Sequence, residues 1–265
     1  GITLYKLNYF ALTKFSLGQG LTMSGQLKME LWAHRGSGKG SFENTLKGFE
    51  IALNSGFKAV EFDVMLTADG LPMIHHDWVM GRCARSVDPA MAATDPLTRF
   101  DSLRARDLRH YSVQGEPIPS LAQTIQFCLK HGMRANVELK ATHPANAIAL
   151  GRAVLQAIRA LPQNQQEHIQ ANWVFSSFYH ASLLPLQGHD LALLYEQLPD
   201  NWVLHADALQ ASAIHLHWSG AQPTALRRIH TTGRVVRVYT VNDAEQAKTL
   251  QALGVKGLFT DRMTL

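Results

Sequence analysis

From Glu30 onward the chain alternates short runs of β-forming apolar residues with longer amphipathic stretches, the pattern of parallel strands joined by crossover helices. Strands are expected at 30–34, 58–63, 135–140, 172–177, 190–195, 212–217, 234–240 and 256–260. Helices are expected between them at 43–55, 119–131, 144–161, 179–187, 201–210, 222–231 and 243–253. Several of these stretches run into a glycine, such as Gly56, Gly132 or Gly254, where a left-handed cap ends a helix. Length alone permits one barrel or two smaller domains. Eight strands in 265 residues fit a single (β/α)8 barrel, which needs about 250.

One run breaks the alternation. Between Asp63 and Asp77 there is no room for a crossover helix, and Asp69-Gly70 is a hairpin turn signal. A two-residue turn there sets Asp63 opposite His76 and turns His75 to the other face; a slip of one residue would exchange the two histidines. Residues 78–118 follow with no helical or strand period and six arginines, and are expected to form an insertion over one end of the barrel. The barrel is therefore assigned to 29–265, with 1–28 as an N-terminal extension, either upstream native sequence or a remnant of cloning, for which Met23 and Met29 are candidate natural starts.

Composition narrows the function. With 46% hydrophobic and 17% charged residues the chain has material for a sizeable core. Its net charge of +4 comes from scattered lysines and arginines rather than a basic tract, which argues against nucleic acid as a partner. No apolar run approaches the roughly 20 residues of a membrane span. Cys83 and Cys128 have no paired spacing, so neither a disulfide framework nor a zinc site is indicated, and two free thiols fit a cytoplasmic protein. Oligomeric state is not legible.

In a parallel barrel the carboxyl ends of the strands meet at one mouth, where catalytic groups collect. The polar residues at those ends include His34, Arg35, Glu61, Asp63, Glu138, Lys140, Glu196, His217 and Tyr239. Glu61 and Asp63 are two apart and share a strand face, and Glu138 and Lys140 repeat the spacing. Three converging carboxylates repel one another unless a cation intervenes, and a hard divalent ion with oxygen ligands, Mg2+ or Ca2+, suits them better than zinc. The rival reading is a barrel-lining salt-bridge network with Arg35 and Lys140. His215 and His217 read first as a polar layer inside the barrel. His217, Trp218 and Tyr239 remain candidate substrate contacts, and Glu196 is placed to face a cationic head group.

The ordered segments His34-Arg35-Gly36, Glu43-Asn44-Thr45, Glu61-Phe62-Asp63-Val64, Thr67-Ala68-Asp69-Gly70 leading to His76-Asp77, Glu138-Leu139-Lys140, Val238 to Asn242 and Phe259-Thr260-Asp261 resemble the signature of glycerophosphodiester phosphodiesterases, above all small cytosolic bacterial members. The resemblance implies a TIM-type barrel and a divalent metal on Glu61, Asp63 and Glu138. It also implies catalytic histidines at His34 and His76, and phosphate-holding roles for Arg35 and Lys140. Two departures stand out: Phe42 replaces the usual proline before Glu-Asn-Thr, and Gly81-Arg82-Cys83-Ala84 replaces the usual Arg-Thr step.

The chemistry expected of such a site is hydrolysis of a soluble glycerophosphodiester to glycerol 3-phosphate and an alcohol. The glycerol hydroxyl beside phosphorus attacks first, and the cyclic phosphate favoured by the resemblance is opened later by water. His34 is assigned as base and His76 as acid in the first step. The alternatives are a lysophospholipase D-like phosphodiesterase on the same barrel and a noncatalytic phosphoester-binding barrel.

Overall fold

The computed structural model describes residues 29–263; the expected extension at 1–28 lies outside them. Eight parallel strands close on themselves: β1 (Glu30–Ala33), β2 (Ala59–Leu66), β3 (Arg134–Leu139), β4 (Val174–Ser177), β5 (Asp190–Tyr195), β6 (Ala213–His217), β7 (Val235–Tyr239) and β8 (Gly257–Thr260). Each pairs with the next, and β8 returns to β1 with Ala33 opposite Thr260. In β2, Phe62 and Val64 face the surrounding helices while Glu61 and Asp63 face inward, so one strand supplies both core and site.

The helices are α1 (Leu46–Asn54), α2 (Leu121–Lys130), α3 (Ala147–Arg159), α4 (Gln163–Asn172), α5 (Trp202–Leu209), α6 (Pro223–His230) and α7 (Ala244–Ala252). Three of them, α1, α2 and α7, open on a side-chain cap. Thr45 accepts from Gly48 N to open α1, and Ser120 and Gln123 form a reciprocal capping box on α2. In α2 the buried positions Leu121, Thr124, Ile125 and Cys128 recur at helical spacing and face the main core.

Three segments differ from expectation for physical reasons. The stretch expected as a helix at 179–187 is a 3-10 segment, His180–Leu186, whose Pro185 supplies no backbone donor. Helix α4 was not expected at all: its sequence is largely polar, only Ile169 is buried, and it shows no apolar period. The helix expected from 43 starts at Leu46, because Phe42 and Asn44 take positive φ (49° and 56°) and turn the chain across the barrel mouth.

The hairpin forms with a different turn. Val64 pairs with Ile74 and Met65 with Met73, and Thr67 N donates to Leu71 O, so the loop is three residues, Ala68-Asp69-Gly70. Gly70 adopts φ +77°, the left-handed position such a loop requires. The ladder therefore sets His75, not His76, opposite Asp63, and His75 N donates to Asp63 O at 3.1 Å. Residues 78–118 fold into a single helical turn (Pro89–Ala92), short 3-10 turns and a small three-stranded sheet. They build their own apolar cluster with Met80, Phe100, Leu108, Tyr111, Val113 and Ile118 around Met65 of β2. Among the described residues no helix is long and apolar enough to cross a membrane.

Candidate active site

The inward side chains are arranged in layers. The deepest is Trp32 with Glu30, whose carboxylate accepts from Arg237 Nε at 2.7 Å and from Trp32 Nε1 at 3.2 Å. Above it His215 is fully buried, 3.3 Å from an Arg237 guanidinium nitrogen, and burial followed by that positive charge holds its pKa well below the ordinary value. His215 thus belongs to the polar layer expected for it.

At the mouth, Glu61, Asp63 and Glu138 each direct an oxygen into one spot, the three lying within 4.8 Å of one another. Oxygens bound to one hard divalent ion, at about 2.0–2.6 Å each, are spaced in that range. Burial, then the charges of Asp63 and Glu138, push Glu61 well above the ordinary carboxyl value, and Glu138 rises to about 7 through burial and Asp63. Asp63 behaves oppositely. Burial opposes its ionisation, but the charges of His76, Arg35 and Lys140 outweigh that and hold it at about 2. Asn44 grips it from both sides: Nδ2 donates to Asp63 Oδ2 at 2.9 Å, and Asn44 Oδ1 accepts from Asp63 N at 3.1 Å. Glu61 Oε2 accepts from Arg35 N at 2.9 Å, while Glu61 Oε1 is buried with no partner among the described residues.

The salt-bridge alternative is only partly realised. Arg35 Nε is 3.7 Å from Asp63, and Lys140 Nζ is 3.9 Å from Glu138. The Arg35 guanidinium is nonetheless committed to Glu43 at 3.0 Å, so three carboxylates share less than two cations and one buried oxygen stays bare. That donor set fits a divalent metal.

Each candidate histidine is held by a carboxylate on its inner nitrogen. His34 Nδ1 is 2.6 Å from Asp261 Oδ1, and its Nε2 lies 3.9 Å from Glu61. His76 Nδ1 is 2.6 Å from Asp77 Oδ1, and its Nε2 lies 3.3 Å from Lys140 Nζ. A carboxylate can only accept, so Nδ1 carries the proton in both rings and Nε2 is left to exchange one. Arg82 ties the second pair to the first loop, bridging Asp77 (2.6 Å) and Glu43 (2.7 Å). It lies at the departure from the family pattern, and sequence reasoning gave it no role. Gly38, at φ +97°, packs so closely that a Cβ there would meet Asp261 O at 2.5 Å, which keeps the loop after His34 against the last strand.

His75 sits apart. It is 1% exposed and stacks on Phe100 of the insertion, with ring centroids 5.2 Å apart. Tyr239 OH donates to Tyr195 O, and its ring meets His217 at 5.6 Å. Tyr239, Glu61 and Glu138 all border a small inner cavity. Trp218 is nearly half exposed beside His217 and lines neither the inner cavity nor an outer cleft beside Glu138 and Lys140, whose aromatic side chains are Trp78, Phe178 and Tyr179. Those rings, Glu43, Asp77 and Asp261 lay beyond sequence reasoning as functional groups. Glu43, Asp77 and Asp261 stand in the segments that carry the family resemblance, but only the one-residue offset from His76 to Asp77 hinted at a role.

A closed α/β barrel whose mouth joins three buried carboxylates, two carboxylate-held histidines and two cations defines a barrel hydrolase of anionic esters. Residues 34–265 match the glycerophosphoryl diester phosphodiesterase family; the chain belongs to that family and is a phosphodiesterase. It is 31% identical over 245 residues to a glycerophosphodiester phosphodiesterase of Bacillus altitudinis, covering 88% of this chain and 94% of the relative. A relative of the same description from Caldanaerobacter subterraneus is 26% identical, covering 89% and 95%. Among solved structures, an Oleispira antarctica phosphodiesterase in complex with sn-glycerol-3-phosphate superposes with a TM-score of 0.76 at 26% identity, covering 88% of this chain and 92% of that one.

Proposed function

We propose that this enzyme hydrolyses glycerophosphodiesters to glycerol 3-phosphate and an alcohol, with one divalent ion, Mg2+ or Ca2+, held by Glu61, Asp63 and Glu138. The observation that carries this reading is the convergence of three buried carboxylates, one with an unpartnered oxygen, beside two histidines whose Nε2 atoms lie next to Glu61 and Lys140. The product in the Oleispira antarctica complex supports the choice of glycerol 3-phosphate. A soluble small molecule is the expected substrate, in a cytoplasmic setting.

A divalent ion held by Glu61, Asp63 and Glu138 would supply positive charge to the phosphoryl oxygens and acidify an oxygen near it. With it bound, the balance of three carboxylates against Arg35 and Lys140 turns positive, the sign a phosphodiester anion requires. Arg35 Nε, buried and without a hydrogen-bond partner, and Lys140 Nζ are the donors for the non-bridging oxygens. His34 Nε2 takes the proton from the neighbouring glycerol hydroxyl as its oxygen bonds to phosphorus, and His76 Nε2 protonates the departing alcohol as its bond to phosphorus breaks, which leaves a cyclic phosphate. The roles reverse when water opens the cyclic phosphate. Release of glycerol 3-phosphate from a panel of glycerophosphodiesters, with and without EDTA, tests the reading; no release from any diester with Mg2+ or Ca2+ present refutes it.

A further inference from the structure

The two histidines are steadied in different ways. Asp261, behind His34, accepts from a backbone donor, Lys39 N, at 2.8 Å and from Asn242 Nδ2 at 3.2 Å. Asp77, behind His76, has no such support. Among the described residues its only hydrogen bonds besides that of His76 come from Arg82, Nε to Oδ2 at 2.6 Å and Nη2 to Oδ1 at 2.9 Å. The return strand of the hairpin ends at Ile74, so no ladder holds His76 or Asp77 in place. Arg82 carries a second fork, donating from Nη1 at 3.0 Å and from Nη2 at 2.7 Å to the two oxygens of Glu43. Glu43 is a fixed point: it is 1% exposed and is anchored by Gly40 N at 2.7 Å and by Arg35 Nη1 at 3.0 Å.

Resting on the proposed hydrolysis, in which His76 protonates the departing alcohol, we propose that Arg82 is a positioning residue for that step: by bridging Asp77 to Glu43 it holds the His76 imidazole where Nε2 can deliver its proton. The geometry calls for this residue type. A guanidinium is planar and offers a pair of N–H groups to each carboxylate, whereas a lysine ammonium is a point charge that cannot fork onto both. A plain tether between the insertion and the first loop would have a different signature. The Arg82 side chain is 40% exposed, and ion pairs of so exposed a group add little to folding. Loss of Arg82 should therefore show in proton transfer rather than in the melting temperature.

The test is kcat/KM, which reports the steps up to departure of the alcohol, for two esters of glycerol 3-phosphate: the alkyl diester that the wild type turns over fastest and the p-nitrophenyl diester. A nitrophenolate leaves without a proton, so a misplaced acid harms its release little, while an alkoxide needs the proton. Wild type, Arg82→Ala, Arg82→Lys and His76→Ala are compared, each loaded with the divalent ion and checked for folding by its melting temperature. Arg82→Ala should lose about ten- to a hundredfold on the alkyl ester, the size of effect that misplacing a catalytic group produces, and less than about threefold on the nitrophenyl ester. Arg82→Lys should stay closer to Arg82→Ala than to wild type although it keeps the charge, and added guanidinium ion should restore Arg82→Ala on the alkyl ester but not His76→Ala. Equal losses on the two esters in folded Arg82 variants, or wild-type activity in either variant, overturns the proposal. A His76→Ala variant impaired equally on both esters overturns the acid role of His76 on which the proposal rests, and a wild type that releases alcohol from no diester overturns the phosphodiesterase reading itself.

Discussion

His34 Nδ1 lies 2.6 Å from Asp261 Oδ1, so the first and last strands of the closed barrel clamp a single imidazole between them. Asp261 is itself fixed by Lys39 N at 2.8 Å and by Asn242 Nδ2 at 3.2 Å. Burial opposes its charge, yet the hydrogen bond and charge of His34 hold its carboxyl well below the ordinary value. Asp261 acts through His34, as a positioning residue. Asp261→Asn should lower kcat by about 10²-fold with little change in KM, because the imidazole loses the charge that fixes its tautomer and steadies its protonated form. The pH dependence of kcat should move as well. Unchanged kcat and pH profile in a folded variant would show that the contact is only structural.

Glu61 offers a separate handle on the ion. Burial and its carboxylate neighbours raise its pKa, so in the metal-free protein a neutral glutamine removes a charge that its surroundings disfavour. Glu61→Gln should therefore leave the melting temperature in EDTA within the range of a change of about 1 kcal/mol. It should also remove most of the stabilisation that added Mg2+ or Ca2+ gives the wild type, since ligand-linked stability follows affinity. Titration of the ion followed by calorimetry reads the same loss without any assay of activity. Equal metal binding in wild type and variant would remove Glu61 from the ligand set.

Much of this site was legible because strand ends in a barrel share one mouth, so the spacing of Glu61, Asp63, Glu138 and Lys140 fixes their side without any knowledge of contacts. The hairpin register was not. Asp-Gly suits a two-residue turn and equally a three-residue loop with glycine in the left-handed position. Tertiary contacts accompany the longer loop here: Asp69 Oδ1 accepts from Thr67 Oγ1 at 2.6 Å and from Ala105 N at 2.9 Å, the latter 36 residues away. Arg82 was obscure for the same reason, since its meaning comes from Glu43 across the mouth. Helix α4 was hidden because it buries almost nothing that a periodicity could reveal.

The shifted register still separates the two adjacent histidines, though not by the turn first inferred. The return strand of the hairpin ends at Ile74; His75 continues the face covered by the insertion, while His76 lies beyond the ladder with Nε2 beside Lys140. His76→Ala should lose about 10²–10⁴-fold in kcat and keep its melting temperature close to wild type, as removal of an acid–base group does. His75→Ala should instead lower stability through the space left beside Phe100, with a much smaller kinetic effect measured well below its melting temperature. A His75 variant as inactive as the His76 variant while still folded would reverse the assignment.

His75 also gives the fold an acid sensitivity of defined sign. Burial lowers its pKa from 6.5 to about 4, despite the nearby Asp77 and Glu43 charges that oppose the shift. In the unfolded chain the same imidazole takes up its proton near pH 6.5, so below that pH the unfolded state binds more protons than the folded one. The stability contributed by a neutral His75 is full above pH 6.5 and falls as the pH is lowered toward 4, by at most about 3 kcal/mol. Carboxylates titrate in the same window, so the informative quantity is a difference. Denaturant unfolding of wild type and His75→Phe, which keeps a ring against Phe100, should give stability curves that diverge from pH 6.5 downward, with the phenylalanine variant losing less. Parallel curves over that range would mean that His75 gains its proton in the folded protein as readily as in the unfolded chain.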